Sequence, residues 1–283
     1  MSAESSRPVT ASLIITTYNA KEILQLVLET VLKQTVLPHE VIVADDGSRE
    51  DTADLIRSMA QKSPVPILHV WQPDEGFRAA RSRNNAIAVA SGEYLIFLDG
   101  DCFVNPYFVG DHLSLAKPGQ FVVGTRVNVQ RARQKYIMRT RNTKISFLSW
   151  GTHKKVNAIR SPWLSRFFYK GGIASANFAV WRSDVLKING FNEVYVGHGG
   201  EDGEFALRLY LAGIVMRKMR YIGMAYHFAH SETPRGNQDF VEKNYRETLK
   251  QGKTWCEAGL NRALEEKESL LFCQRKTELN QPQ

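Results

Sequence analysis

Two carboxylates one residue apart, Asp99 and Asp101, close the apolar run Tyr94-Leu-Ile-Phe-Leu98, with Gly100 between them. Such a run reads as a buried parallel strand, and ligand sites in open α/β sheets lie beyond the carboxyl ends of strands. Aspartates at that place are poor strand formers but good hard-oxygen ligands for Mg²⁺ or Mn²⁺, which can in turn hold a diphosphate. An isolated Asp-x-Asp is more simply an acidic turn. This one is accompanied by Thr16-Thr-Tyr-Asn19 and Asp45-Asp-Gly-Ser48 after two earlier apolar runs, and by Arg83-Asn84. Farther along come Gly197-His-Gly-Gly200-Glu201-Asp202, Met224-Ala-Tyr-His227 and His230. Together they offer a ring and hydroxyl, an acidic pair, an arginine and a metal-type carboxylate pair. A nucleoside diphosphate needs that set: a flat platform, an acceptor for a base N–H, a cation for phosphate and a metal.

The elements that must position these groups can be read from periodicity. Ser12–Thr16, Val41–Ala44, Ile67–Trp71 and Tyr94–Asp99 read as strands. Between them, Ile23, Leu24, Val27, Leu28 and Val31 fall at helical spacing. A second helix runs through Ala53, Ile56 and Ala60, with Ser48-x-x-Asp51 as its expected capping box, and a third covers about Ala79 to Ala90. Strands alternating with helices predict an α/β fold with a doubly wound, mostly parallel sheet flanked by helices. After Phe121-Val-Val-Gly124 the pattern breaks. It resumes at Ser175–Trp181 and in a helix from about Asp202 to Ala212, and from Asp239 a polar stretch with Phe240, Leu249, Trp255 and Leu260 reads as a helical extension. The expected division is a main domain over 1–236 and the extension over 237–283.

The ordered motifs resemble a family 2 glycosyltransferase of GT-A fold over roughly residues 10 to 230. The N-terminal half resembles chondroitin-polymerase-type enzymes through Ile15-Thr-Thr-Tyr-Asn19, Val43-Ala-Asp-Asp-Gly-Ser48, Gly76-Phe77, Ser82-Arg-Asn84 and Leu98-Asp-Gly-Asp101. Ser175-Ala-Asn-Phe-Ala-Val-Trp-Arg182, Asn189-Gly-Phe191 and Gly199-Gly-Glu-Asp202 resemble the catalytic part of β-1,4-galactosyltransferases and polypeptide N-acetylgalactosaminyltransferases. The resemblance implies that Thr16, Tyr18 and Asp46 hold a uracil, Tyr18 by stacking and Asp46 as acceptor, with Asp45 an alternative. It implies that Arg83 faces the diphosphate or Asp99, that Asp99 reaches the ribose or donor sugar, and that Asn177 belongs to the donor site. Asp101 becomes the direct metal ligand, joined by the histidine of Met-x-x-His, His227, with His230 and His198 as competitors. Asp202 becomes the general base and Glu201 its hydrogen-bonding neighbour. Direct displacement at an anomeric carbon needs one carboxylate for the acceptor proton and a metal for the departing diphosphate, which agrees with the residues themselves and implies inversion. Glu201-Asp202 also read as an acidic first helical turn, favourable to the dipole.

Charge separates the chain into unequal parts. The net charge is +8, yet Arg126 to Lys170 holds twelve Lys/Arg and no Asp or Glu, so the remainder is net acidic. Tyr136, Phe147, Trp150, Trp163, Phe167, Phe168 and Tyr169 are interleaved with those cations. This composition suits an anionic partner: acidic lipid, a phosphorylated glycan or nucleic acid. Trp150, Trp163 and Trp181 are either acceptor platforms or core. The N-terminus carries no apolar signal-like stretch and no run approaches a spanning helix. The three cysteines, Cys102, Cys256 and Cys273, lack metal-ligand spacing. The expectation is therefore a cytoplasmic enzyme, peripheral to the inner membrane, using Mn²⁺ or Mg²⁺. It would move a hexose or N-acetylhexosamine from a UDP-sugar to a lipid-linked or cell-surface glycan in lipopolysaccharide or capsule assembly, with no nucleic-acid partner. The rivals are a sugar-nucleotide pyrophosphorylase and a glycan- or nucleic-acid-binding protein on an inactive GT-A scaffold. The first calls for a Gly-rich basic loop after the first strand, where this chain has Thr16-Thr-Tyr-Asn19.

Overall fold

The computed structural model describes residues 8–165, 177–229 and 237–270. Its first hundred residues alternate as the periodicity predicts: β1 (Ala11–Thr17), α1 (Lys21–Val31), β2 (Glu40–Asp45), α2 (Glu50–Gln61), β3 (Ile67–Trp71), α3 (Ala79–Val89) and β4 (Tyr94–Asp99). There follow β5 (Cys102–Val104), α4 (Phe108–Leu113), β6 (Gln120–Val123), β7 (Arg126–Val129), α5 (Arg131–Thr140), β8 (Thr152–His153) and the single turn α6 (Pro162–Ser165). The chain continues through β9 (Asn177–Trp181), α7 (Arg182–Lys187), α8 (Glu201–Leu211), β10 (Val215–Lys218), β11 (Ala225–Phe228), α9 (Gln238–Gln251) and α10 (Leu260–Glu265).

A seven-stranded sheet runs β10-β6-β9-β4-β1-β2-β3. β1 pairs in parallel with both β2 and β4, and β2 with β3, while β9 enters antiparallel between β4 and β6. Successive residues on a strand face opposite sides, and here both sides are covered. Leu13 and Ile15 pack with α1 residues such as Val27, whereas Ile14 faces Ile87 and Phe97. Two buried faces explain why these strands are continuously apolar rather than alternating. A second sheet, β5-β11-β7-β8, abuts the end of the first through Phe103, Tyr226 and Phe228.

One sequence expectation is revised. Ser48 does not cap α2. The helix begins at Arg49 without a side-chain cap, and Ser48 Oγ instead accepts the Asn19 N–H at 2.8 Å. Asn19 Oδ1 accepts the Arg49 N–H at 3.1 Å, so the loops after β1 and β2 are stitched to each other. In the C-terminal extension, Leu260 and Ala263 are buried in the same cluster as Ile87, Phe191 and Phe205. Of the segment expected at Ser175–Trp181, Ser175 and Ala176 lie outside the described residues.

Candidate active site

Register brings the strand ends together. Thr16 and Asp99 are partners across β1 and β4, with Thr16 Oγ1 at 3.4 Å from Asp99 Oδ1. Gly100 follows because space forbids anything larger: a Cβ there would come within 2.1 Å of the Thr16 carbonyl oxygen. The tight passage lets Asp101 emerge beside β11, where His227 Nε2 lies 3.2 Å from Asp101 Oδ2. His227 is held by two strands, opposite Cys102 on β5 and Asn128 on β7. His230 lies outside the described residues.

One oxygen of Asp101, one nitrogen of His227 and the Cys102 sulfur lie within 4.8 Å of one another. Cys102 is fully buried, and burial beside Asp101 and Asp99 pushes its thiol well above the ordinary range. A thiol held in its protonated form is a poor ligand for a hard cation. Asp101 and His227 therefore form the fitting pair, a donor set compatible with Mn²⁺ or Mg²⁺ and leaving several positions for phosphate oxygens and water.

Arg83 is the hub of the opposite side. It projects from α3 with its guanidinium buried, its Nη2 at 3.3 Å from Asp99 Oδ1 and its Nη1 at 3.1 Å from Glu201 Oε1 and 3.3 Å from Asp202 Oδ1. The Phe191 ring lies beneath it at 5.3 Å. Burial alone would lower its proton affinity, but Asp202, Glu201 and Asp99 outweigh that and hold it charged. Of the two partners contemplated for Arg83, the structure thus gives it Asp99, and adds both carboxylates of α8. Glu201 and Asp202 do occupy the first turn of α8, following Gly200 at φ +103°, a backbone region that suits glycine. Their side chains differ in access: Asp202 is 19% exposed and Glu201 6%, so Asp202 is the more open to a second substrate.

At the ends of β1 and β2, Tyr18 is half exposed and donates its hydroxyl to Asp74 Oδ2 at 2.9 Å, which raises the phenol's pKa. Asp45 is consumed within the fold: Oδ1 accepts the Ser48 N–H at 2.8 Å and Oδ2 lies 2.8 Å from His69 Nε2. Asp46 is held by the Gln72 amide at 2.6 Å on Oδ1 and by the Arg78 N–H at 2.7 Å on Oδ2. Burial raises its pKa, opposed by the bonds from Arg78 and Gln72.

Asn177 departs from expectation. It is buried, and its amide is fully used by the fold. Oδ1 meets His112 Nε2 at 2.8 Å, and Nδ2 donates to the Thr125 and Gly223 carbonyls at 3.1 and 2.9 Å. It ties the starts of β7 and β11 to β9 rather than offering itself to a ligand. The basic run is also less uniform than its composition implies. Arg133 is buried between the rings of Tyr136 and Trp150, at 4.8 and 5.0 Å, and Arg160 is paired with Asp111 at 2.6 Å. Arg131, Arg139 and Arg141 remain exposed, and the same segment also exposes Phe147, Trp150 and, at 86%, Leu148. Trp181 packs edge-on against Tyr94 in the core. Sequence reasoning missed Gln72, Asp74, Glu193 and Arg262. The first two follow β3, and the strand-end rule that found Asp45 and Asp99 would have found them; Glu193 and Arg262 carry no local signal.

Similarity to known proteins agrees with this geometry. The glycosyl transferase family 2 profile matches residues 12–181, and a profile described as the N-terminal domain of galactosyltransferase matches 154–231. Validoxylamine A glucosyltransferase of Streptomyces hygroscopicus subsp. limoneus is 28% identical over 233 residues, covering 74% of this chain and 49% of that protein. Chondroitin synthase of Escherichia coli is 29% identical over 268 residues, covering 82% of this chain and 36% of that protein. The chain thus spans half or less of the length of these relatives. S. aureus TarS 1–349, solved in complex with UDP-GlcNAc, shares the fold with a TM-score of 0.59 at 18% identity, over 93% of this chain and 73% of that one. The large mixed sheet flanked by helices is accordingly a GT-A fold, and the chain belongs to glycosyl transferase family 2.

Proposed function

We propose that this protein transfers a hexose or N-acetylhexosamine from a UDP-sugar to a glycan acceptor, with inversion at the anomeric carbon. The observation that carries this reading is the convergence of Asp99, Glu201 and Asp202 on Arg83, one residue away from the Asp101–His227 pair. Tyr18 supplies a ring for the uracil, Thr16 lies beside it, and Asp46 accepts from the base N–H. Asp99, held by Arg83, addresses the ribose or the sugar hydroxyls. A divalent cation on Asp101 and His227 supplies positive charge against the departing diphosphate. Asp202 takes the proton of the acceptor hydroxyl as its oxygen bonds to the anomeric carbon and the bond to the β-phosphate oxygen breaks. Glu201, the more buried carboxylate, orients acceptor or donor hydroxyls. Arg83 keeps three acids together that would otherwise repel one another.

The acceptor reading rests on charge and placement. The acid-free segment begins on β7, the strand beside His227, and carries exposed cations together with the exposed Phe147 and Leu148. We assign this face to a lipid-linked, anionic acceptor at a membrane surface, as in lipopolysaccharide or capsule assembly on the cytoplasmic side. No helix among the described residues is long and apolar enough to cross a membrane. The test is release of UDP from a panel of UDP-hexoses and UDP-N-acetylhexosamines with Mn²⁺ or Mg²⁺, with and without a chelator, and assignment of the product anomer by proton NMR. Metal-dependent UDP release and an inverted product are expected. Failure of every UDP-sugar to bind or turn over would overturn the reading.

A further inference from the structure

The C-terminal helix reaches the base-recognition acid through a one-way chain of hydrogen bonds. Arg262, on α10, donates from Nη2 to Asn85 Oδ1 at 2.7 Å. Asn85 Nδ2 donates to Gln72 Oε1 at 2.9 Å, and Gln72 Nε2 donates to Asp46 Oδ1 at 2.6 Å. Asn85, Gln72 and Asp46 are all buried. The direction is forced by the two ends. A guanidinium can only donate and a carboxylate can only accept, so each amide between them has one permitted orientation. Low local dielectric strengthens such a chain, and each donor polarises the next.

Arg262 is itself fixed. Its Nε and Nη2 bind the two oxygens of Glu193 at 2.9 and 3.0 Å. Glu193 Oε1 also accepts from Asn84, the residue after Arg83, at 2.9 Å. The start of α10 is held to the loop between α7 and α8 by the Leu260 N–H on the Asn189 carbonyl at 2.8 Å and the Asn261 N–H on Asn189 Oδ1 at 2.7 Å.

We infer that Arg262 is a positioning residue for nucleobase selection, acting through Asn85 and Gln72 to hold the Asp46 carboxylate in the orientation that meets a pyrimidine N3–H. This rests on the proposed role of Asp46 as uracil acceptor. Gln72 locks Oδ1 and the Arg78 N–H locks Oδ2, so the remaining lone pairs point in fixed directions. Without Arg262 the Asn85 amide can reverse and withdraw its donor from Gln72, which is then held only by Asp46 and, at 3.4 Å, by the Arg78 carbonyl, so the grip on the carboxylate loosens. Uracil presents a donor at N3 and cytosine an acceptor, so a well-held Asp46 favours the first and repels the second.

The experiment compares UDP and CDP binding by calorimetry with Mn²⁺ present, in the full chain and in R262M, R262K, N85L and the R262M/N85L double variant. Pyrophosphate binding with Mn²⁺ and melting temperature are measured alongside. Expected are a UDP-over-CDP preference reduced about ten-fold in R262M, the size of a lost hydrogen bond to a charged group, and the same loss in N85L. The double variant should be no worse than either single one, because the residues act in series. R262K should recover part of the preference, and pyrophosphate binding should stay unchanged throughout. Full preference in both R262M and N85L, even with lowered melting temperatures, would reduce the chain to packing and overturn the inference. An unmodified protein that does not prefer UDP to CDP would instead overturn the role of Asp46, and the relay with it.

Discussion

The two sheets hold functional side chains in different ways. In the large sheet, Thr16, Asp46 and Asp99 stand at the ends of parallel strands buried on both faces, and each is tied by short contacts to a neighbouring strand or loop. In the small sheet, His227 sits on a four-residue strand whose neighbours β5, β7 and β8 are themselves two to four residues long. The first arrangement is local and repeated: apolar strand, polar end. The second joins segments far apart in sequence, and Asn177 holds those that lead into β7 and β11. The large sheet, assembled from adjacent β-α units, is therefore expected to tolerate damage in the small sheet, but not the reverse.

The largest expected effects lie where the halves meet. Asp202→Asn should keep UDP-sugar affinity and lower turnover at least about a hundred-fold, the lower range for a lost general base. Steady-state kinetics beside UDP binding checks this; if Glu201→Gln produces the loss and Asp202→Asn does not, their roles are exchanged. Asp101→Ala should remove metal-dependent UDP binding altogether, leaving the diphosphate uncompensated. Activity of the unmodified protein that survives EDTA unchanged would refute the metal assignment.

His227→Ala probes the small sheet alone. It should raise the Mn²⁺ concentration required by at least about ten-fold and the Mg²⁺ concentration by less, because imidazole suits Mn²⁺ better. A larger effect from His230→Ala would move the ligand to the later histidine.

The basic segment divides in two under smaller perturbations. Arg133→Met should destabilise the fold by about 2 kcal/mol, since it removes a desolvated cation between two rings. Neutralising Arg131, Arg139 and Arg141 together should change stability by no more than about 0.5 kcal/mol while weakening association with anionic vesicles by about 1 kcal/mol per charge. Urea denaturation and vesicle co-sedimentation over a salt series separate the two outcomes, and vesicle binding indifferent to both salt and substitution would leave this face without an anionic partner.

The smallest effect concerns the clamp. His112 is fully buried, and burial lowers its pKa to about 4 despite the bond to Asn177. The unfolded chain takes up a proton near its ordinary pKa of about 6.5, whereas the folded one resists until about 4. This contribution is therefore intact above about pH 6.5 and is lost as pH falls from there toward 4, by about 1 kcal/mol at pH 6. His112→Gln keeps a donor for Asn177 without titrating, so its urea midpoint should depend less on pH between 7 and 5 than that of the unmodified protein. Equal slopes would place the acid sensitivity elsewhere.

Sequence order revealed the first four strands, their helices and the acids at their ends because each depends on a few adjacent residues: a buried apolar run, then a polar residue that the run cannot absorb. The Arg83 cluster was half legible. A buried arginine beside Asp99 follows from helix-on-sheet packing, but its contact with Glu201 and Asp202, 118 and 119 residues away, follows from where α8 is docked. Ser48 misled because its hydroxyl had two competing uses, a helix cap or the Asn19 N–H, and only the paired loops decide between them. Asn177 misled for the same reason: an amide at a strand start serves either a ligand or a clamp.

The residue pattern on its own thus determined the fold class, the polar strand ends and the chemical types gathered there, because hydrophobic periodicity and polar strand ends are short-range properties. Tertiary structure alone decided that Arg133 leaves the solvated basic face and Arg160 pairs with Asp111, that His227 comes beside Asp101, and that Arg262 reaches Asp46 through two amides. Those contacts join residues from distant parts of the chain, and hydrogen-bond direction and burial exist only once the elements between them have packed.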